Sequence, residues 1–157
     1  MRHTISVLVE NKFGVLARIA GLFSARGYNI ASLAVSETLD PTISYMTIVV
    51  EAKDEKVLEQ IMKQLNKLID VISVTDFTNK EHVERELVLV KVDYSAKQKA
   101  KLEAILKKYV GKIVQRKASI AVIEAVGEEK QIKQLLESLS SFGVKELIRT
   151  GKIALAY

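Results

Sequence analysis

The sequence predicts an α+β protein made of two tandem domains, each a four-stranded antiparallel sheet with two helices on one face. Three observations predict it. Segments of period-two alternation are interleaved with segments whose apolar residues recur at three and four, in the order strand, helix, strand, strand, helix, strand. That order occurs twice within 157 residues. The corresponding helix starts fall at 14 and 96 and at 54 and 128, so the architecture repeats although the residues do not.

Residues 4–9 alternate, with Ile5, Val7 and Val9 on one side, the pattern of a half-buried strand. After Glu10-Asn11-Lys12-Phe13-Gly14, the apolar residues Val15, Leu16, Ile19, Leu22 and Phe23 recur at helical spacing, and Gly27 stands where a left-handed C-terminal cap is expected. Residues 29–37 and 43–51 read as a hairpin joined by Thr38-Leu39-Asp40-Pro41-Thr42, where Asp-Pro favours a turn. Asp54 is positioned to cap a second helix striped by Val57, Leu58, Ile61, Met62, Leu65 and Leu68, and β-branched residues 71–77 supply the last strand.

A polar connector, residues 79–85, precedes the second copy of the pattern. A strand covers 87–93, a helix carries Leu102, Ile105, Leu106 and Tyr109, and two strands cover 110–116 and 119–126. A helix with Ile132, Leu135, Leu136 and Leu139 ends before Gly143, and an extended segment from 144 to 150 is expected to continue through 151–157. The domains are therefore placed at 1–79 and 80–157. Two amphipathic helices against one face of such a sheet form the ferredoxin-like arrangement. It leaves the other sheet face and the strand edges uncovered, so pairing of edges into a homodimer is expected.

Several functional classes are excluded or disfavoured by composition. The chain has no cysteine, so thiolate catalysis, disulfides and thiolate metal sites are impossible, and only His3 and His82 offer imidazole; both read as surface or connector residues. Apolar runs such as Ile48-Val49-Val50 and residues 87–90 are far below the roughly 18 residues a spanning helix requires, and the N-terminus has no signal-peptide pattern. No membrane partner and a cytoplasmic location are expected. Residues 1–79 carry 8 Lys plus Arg against 9 Asp plus Glu, or −1, whereas residues 80–157 carry 16 against 10, or +6. The basic group Lys97, Lys99, Lys101, Lys107 and Lys108 reads as a solvated helix face, with an acidic protein surface as the functional option.

The segment richest in chemistry is Asn11 to Leu16, between the first strand and the first helix. Gly14 marks a sharp turn, and the amides of Val15 and Leu16 lie at the unpaired N-terminus of the helix, a setting suited to a carboxylate. Asn11 adds an amide that donates and accepts, as a zwitterionic amino acid requires, and Asn29 offers the same group at the start of the second strand. Equally, a glycine before a helix is commonly a plain turn residue, and asparagines at element ends commonly cap or turn. Spacing alone leaves both readings open.

Asn11-Lys12-Phe13-Gly14-Val15-Leu16-Ala17-Arg18, followed by Arg26-Gly27-Tyr28-Asn29-Ile30 and Met46-Thr47-Ile48-Val49-Val50, resembles the ACT domain of the small regulatory subunit of acetohydroxyacid (acetolactate) synthase, and the likeness continues through residues 82–87. Phe13, where a proline or small residue is common, and Tyr45, where an arginine often precedes Met-Thr, depart from the family pattern; Tyr45 is expected to alter the hairpin surface. The resemblance implies a non-catalytic chain without cofactors of its own. Its partner would be a catalytic large subunit holding thiamine diphosphate, magnesium and FAD, which condenses pyruvate with a second 2-ketoacid in branched-chain amino acid biosynthesis. The small subunit would stimulate that enzyme and transmit feedback inhibition by valine. Valine would sit between two chains, with Asn11, Gly14, Val15 and Leu16 from one and Asn29 and Ile30 from the other. Asp93-Tyr94-Ser95-Ala96 replaces the Asn-x-x-Gly turn in the second domain, so no ligand is expected there.

The residues agree with an absence of catalysis: no Ser/His/Asp set and no metal-ligand spacing occur, and Gly14, Gly21 and Gly27 are too far apart for a phosphate loop. Two other classes compete. An RNA-binding protein of this fold would need an aromatic pair on a central strand, which is missing, so no nucleic-acid partner is expected. A free-standing amino-acid sensor controlling transcription would need a helix-turn-helix, and both domains are used up by their own folds.

Overall fold

The computed structural model describes all residues, 1–157. The chain divides into two units, one of residues 1–83 with 152–157 and one of residues 84–151. The first boundary falls four residues later than the sequence expectation, and the last six residues group with the first unit.

In the first unit the elements are β1 (Arg2–Glu10), α1 (Val15–Ala25), β2 (Asn29–Glu37), β3 (Ile43–Glu51), α2 (Glu55–Asn66) and β4 (Val71–Asp76). The strands are antiparallel in the order β2-β3-β1-β4. Alternation on β1 and β3 sends Ile5, Val7, Met46, Ile48 and Val50 to one face, where they pack with Ile19 and Phe23 of α1 and Ile61 and Leu65 of α2. Helix α1 stops because Gly27 adopts φ +66°, letting the Tyr28 and Gly27 amides donate to the Phe23 and Ser24 carbonyls, a Schellman-type end. Asp54 caps α2 as expected, its carboxylate accepting the Val57 amide at 3.0 Å.

The opposite face of this sheet is not left bare. Ser6, Thr47 and Val49 point away from the helices yet are buried. The chain terminus supplies part of their cover as β9 (Ile153–Ala156): the Tyr45 hydroxyl donates to the Ala154 carbonyl at 2.8 Å, the Ala154 amide donates to Thr47 Oγ1, and the Lys152 amide to Ser32 Oγ, both at 3.4 Å. Tyr45, expected to change the exposed hairpin, thus holds the chain end. Strand β9 also pairs with β5, whose first residues, His82 and Val83, belong to the first unit.

The second unit repeats the order with β5 (His82–Asp93), α3 (Lys99–Lys108), β6 (Lys112–Lys117), β7 (Ile120–Gly127), α4 (Glu129–Leu139) and β8 (Val144–Arg149), its sheet running β6-β7-β5-β8. Val88, Val90, Ile123, Leu102, Leu135 and Leu139 are among its fully buried residues. Three boundaries differ from expectation. Strand β5 begins at His82, inside the presumed connector, because its alternation of half-buried and exposed residues starts there. Strand β6 begins at Lys112, since Val110 takes φ +54° to end α3, a place usually given to glycine. Gly151, at φ +81°, separates β8 from β9, so residues 151–157 turn away instead of prolonging the strand.

Candidate functional site

The expected turn joins β1 to α1. Gly14 has φ +80° and ψ −5°, the left-handed region that glycine enters freely, and as N-cap it offers no side chain to the helix amides. The Val15 amide reaches only the Lys12 carbonyl at 3.4 Å, the first well-formed helical bond is Arg18 amide to Gly14 carbonyl at 2.9 Å, and the Leu16 and Ala17 amides have no acceptor. The positive end of the helix dipole is therefore open.

Asn11 fixes this turn to the β2–β3 hairpin. Its backbone amide donates to the Thr42 carbonyl at 2.7 Å, and its Nδ2 donates to the Pro41 carbonyl at 2.9 Å. The side-chain oxygen has no partner and is left as an acceptor. Beside the turn lies a pocket of about 300 Å³ whose walls include Val15, Leu16, Val35 and Met46, with Asn11 and Glu37 among its polar groups. Five apolar and six polar residues line it, a mixed wall suited to a small molecule that is apolar at one end and polar at the other.

Arg18, exposed over about half of its side chain, is part of the turn's support. Its Nε and Nη2 donate to Asp70 Oδ2 at 2.9 and 2.6 Å, while the Asp70 carbonyl accepts the Glu10 amide at 2.9 Å. A Cβ on Gly14 would lie 2.9 Å from Arg18 Nη1. The signal in the sequence was slight: Arg18 stands one helical turn after Gly14, and Asp70 directly precedes the strand that flanks β1.

Asn29 and Ile30 do not meet this turn within one chain. Asn29 pairs with Glu51 at the far end of β3, whereas Glu37 pairs with Ser44 near the turn, so eight residue steps of ~3.3 Å put roughly 26 Å between them. Asn29 Nδ2 donates to Glu51 Oε2 at 3.0 Å, with Arg2 3.5 Å from the same carboxylate. The Asn29 hydrogen bond first, and the Arg2 charge after it, hold the Glu51 carboxyl below the ordinary carboxylate range. Ile30 is half-buried against the first core.

In the second unit, Asp93 at the equivalent place is occupied internally, with its carboxylate 3.4 Å from Lys145 Nζ and within 2.8 Å of where a Gly143 Cβ would stand. The Tyr94 amide donates to the Ser119 carbonyl at 2.7 Å. A pocket of about 400 Å³ in this unit, lined by Glu103, Leu106, Lys107, Gly111, Ile113 and Arg116, lies between α3 and the edge strand β6 and not at the turn. No helix is long and apolar enough to cross a membrane.

Comparison with known proteins covers both units. Residues 5–73 match the family described as the AHAS small subunit-like ACT domain, and residues 85–157 match the small subunit of acetolactate synthase. The probable acetolactate synthase small subunit of Archaeoglobus fulgidus is 46% identical, covering 99% of this chain and 96% of its own. The acetolactate synthase small subunit of Bacillus subtilis is 40% identical over 99% of this chain and 91% of its own. The crystal structure of the acetolactate synthase small subunit from Thermotoga maritima superposes with a TM-score of 0.89 at 35% identity, covering 100% of this chain and 98% of that one. With an ACT turn in its first unit and these likenesses over its whole length, the chain belongs to the acetolactate synthase small-subunit family.

Proposed function

We propose that this small subunit stimulates its catalytic large subunit in the cytoplasm and confers feedback inhibition by valine. The catalytic partner would carry thiamine diphosphate, magnesium and FAD, and this chain none of them. The observation that carries the reading is the pair of unpartnered amides, Leu16 and Ala17, beside an aliphatic pocket. The amides suit the carboxylate of an amino acid, Val15, Leu16, Val35 and Met46 suit a branched side chain, and Asn11 Oδ1 with Glu37 suits the ammonium group. Because Asn29 and Ile30 lie roughly 26 and 23 Å from the turn in the same chain, they contribute only from a second copy, and the site is shared in a homodimer.

Titration calorimetry with valine, leucine and isoleucine tests this. Valine is expected to bind the wild-type dimer, and Gly14→Asp is expected to bind none: its side chain would force the left-handed turn, displace Arg18 and set a carboxylate where the ligand's carboxylate goes. Unchanged valine binding in Gly14→Asp would remove the turn from the site. Stimulation of the catalytic subunit is expected to persist in that variant.

A further inference from the structure

Ser44 occupies a row of β3 that otherwise carries core residues. Alternation along the strand sends Ser44, Met46, Ile48 and Val50 to the face covered by the helices, and Ser44 is the one polar member of that row. The residue is only 7% exposed, its hydroxyl has no hydrogen-bond partner in the chain, and it lines the pocket beside the turn. A buried hydroxyl left unpaired destabilises a fold, whereas alanine would fill the same place without that loss. Thr47, the buried hydroxyl that points to the opposite face, by contrast accepts the Ala154 amide. The Ser44 oxygen is therefore available to something that enters from the pocket.

Two further acceptors stand beside it. Ser44 is the register partner of Glu37, which puts their Cβ atoms about 5 Å apart on one sheet face, and no cation of the chain pairs with the Glu37 carboxylate. Asn11 follows Glu10, the register partner of Ile43, and while its Nδ2 donates to the Pro41 carbonyl its Oδ1 stays free. The one cation in the pocket wall, Lys12, is held 2.8 Å from Glu10, so these two charges cancel and Glu37 remains uncompensated. Leu16, whose amide lies at the positive end of α1, belongs to the same wall. The pocket thus carries both signs of charge, each without a partner from the chain.

We infer that Ser44 Oγ, the Glu37 carboxylate and Asn11 Oδ1 form a three-acceptor cage for the α-ammonium of the effector, and that this cage makes the site take an amino acid and reject its 2-oxo acid. An ammonium has three N–H bonds to satisfy, and three acceptors meet them. The 2-oxo acid of the same carbon skeleton keeps a carboxylate for the helix amides and a branch for Val15, Val35 and Met46, so neither contact separates the two compounds. It brings no donor to the cage and carries a net negative charge. Its entry would strip water from three acceptors without replacing it and leave Glu37 facing another anion. The inference rests on the reading that this pocket holds an amino-acid effector; it adds Ser44 and the basis of selectivity.

Calorimetry on the wild-type dimer and on Ser44→Ala tests it, together with their melting temperatures. Wild type is expected to bind the 2-oxo acid of valine about 100-fold more weakly than valine, or weaker still. Ser44→Ala is expected to weaken every branched-chain amino acid that wild type binds by the same factor, about tenfold, because the ammonium is common to all and the lost bond is charge-assisted. Its melting temperature is expected to equal or exceed that of wild type, since an unpaired buried hydroxyl has been removed. Unchanged affinity in Ser44→Ala, or a loss confined to one amino acid, would overturn the inference and leave the effector site in place. A variant that melts lower or does not fold would mark Ser44 as a support of the sheet and overturn its assignment too. Comparable binding of valine and its 2-oxo acid by wild type, a measurement that needs no variant, would overturn the cage as a whole. Binding of no branched-chain amino acid by wild type would remove the effector reading itself, and the cage with it.

Discussion

Arg18 and Asp70 show how a charged pair shapes a site it does not enter. The pair leaves half of the arginine side chain in solvent, so its contribution is modest, about 1 kcal/mol after allowance for screening. Arg18→Ala is expected to lower stability by that amount in urea unfolding and to weaken valine binding by roughly tenfold, because the turn loses its tie to β4 and the amides lose their fixed aim. At the far end of β2, Asn29 is the main cause of the lowered Glu51 carboxyl. The sign follows: a depressed folded-state value means this contribution to stability is complete above the ordinary glutamate range and is lost as pH falls through the folded value. Asn29→Ala is expected to move the Glu51 titration upward toward that range, observable in carboxyl carbon NMR. Asn11 and Gly14 were readable in the sequence because their roles are local, fixed by one turn. Arg18 was not, because its partner lies 52 residues on and only the sheet order brings it near.

Among the elements, regular ones with clear periodicity were legible and their ends less so. The β2–β3 hairpin falls where alternation and Asp-Pro place it, and α2 where Asp54 caps it. The junction after α3 was misplaced because a valine occupies a left-handed position that composition assigns to glycine or asparagine. Val110 is exposed and β-branched at φ +54°, which costs about 1–2 kcal/mol relative to relaxed backbone. Val110→Gly is expected to raise unfolding stability by about 1 kcal/mol, part of the gain being offset by glycine's greater freedom when unfolded. An unchanged denaturation midpoint would show the strain is absent in solution. The terminal strand β9 was unreadable for a different reason. Residues 153–156 alternate like any strand, and nothing local tells which sheet face a terminus covers. Tyr45→Phe, which removes the hydroxyl bond to Ala154, is expected to cost about 1 kcal/mol and to increase proteolytic release of the chain end.

For the whole molecule, the repeat seen in the sequence proves to be a repeat of architecture with divided labour. One unit keeps an open helix N-terminus and an aliphatic pocket, and the other closes the equivalent place with Asp93 and Lys145. One chain cannot bring Asn11 and Asn29 together, so the proposed site requires the homodimer expected from the strand edges. On the proposed reading, an effector bound between copies would act by favouring one arrangement of the dimer, with a coupling of about 1–3 kcal/mol between its binding and that of the catalytic subunit.

Mixing two defective chains measures the shared site most directly. Gly14→Asp and Asn29→Ala dimers, each pure, are expected to bind no valine in calorimetry. Co-refolded in equal amounts they form heterodimers in which one turn faces one intact Asn29, and about a quarter of the wild-type binding capacity should return, one site in two for half of the dimers. No recovery on mixing, or full binding by Asn29→Ala alone, would contradict a site built from two copies of the chain.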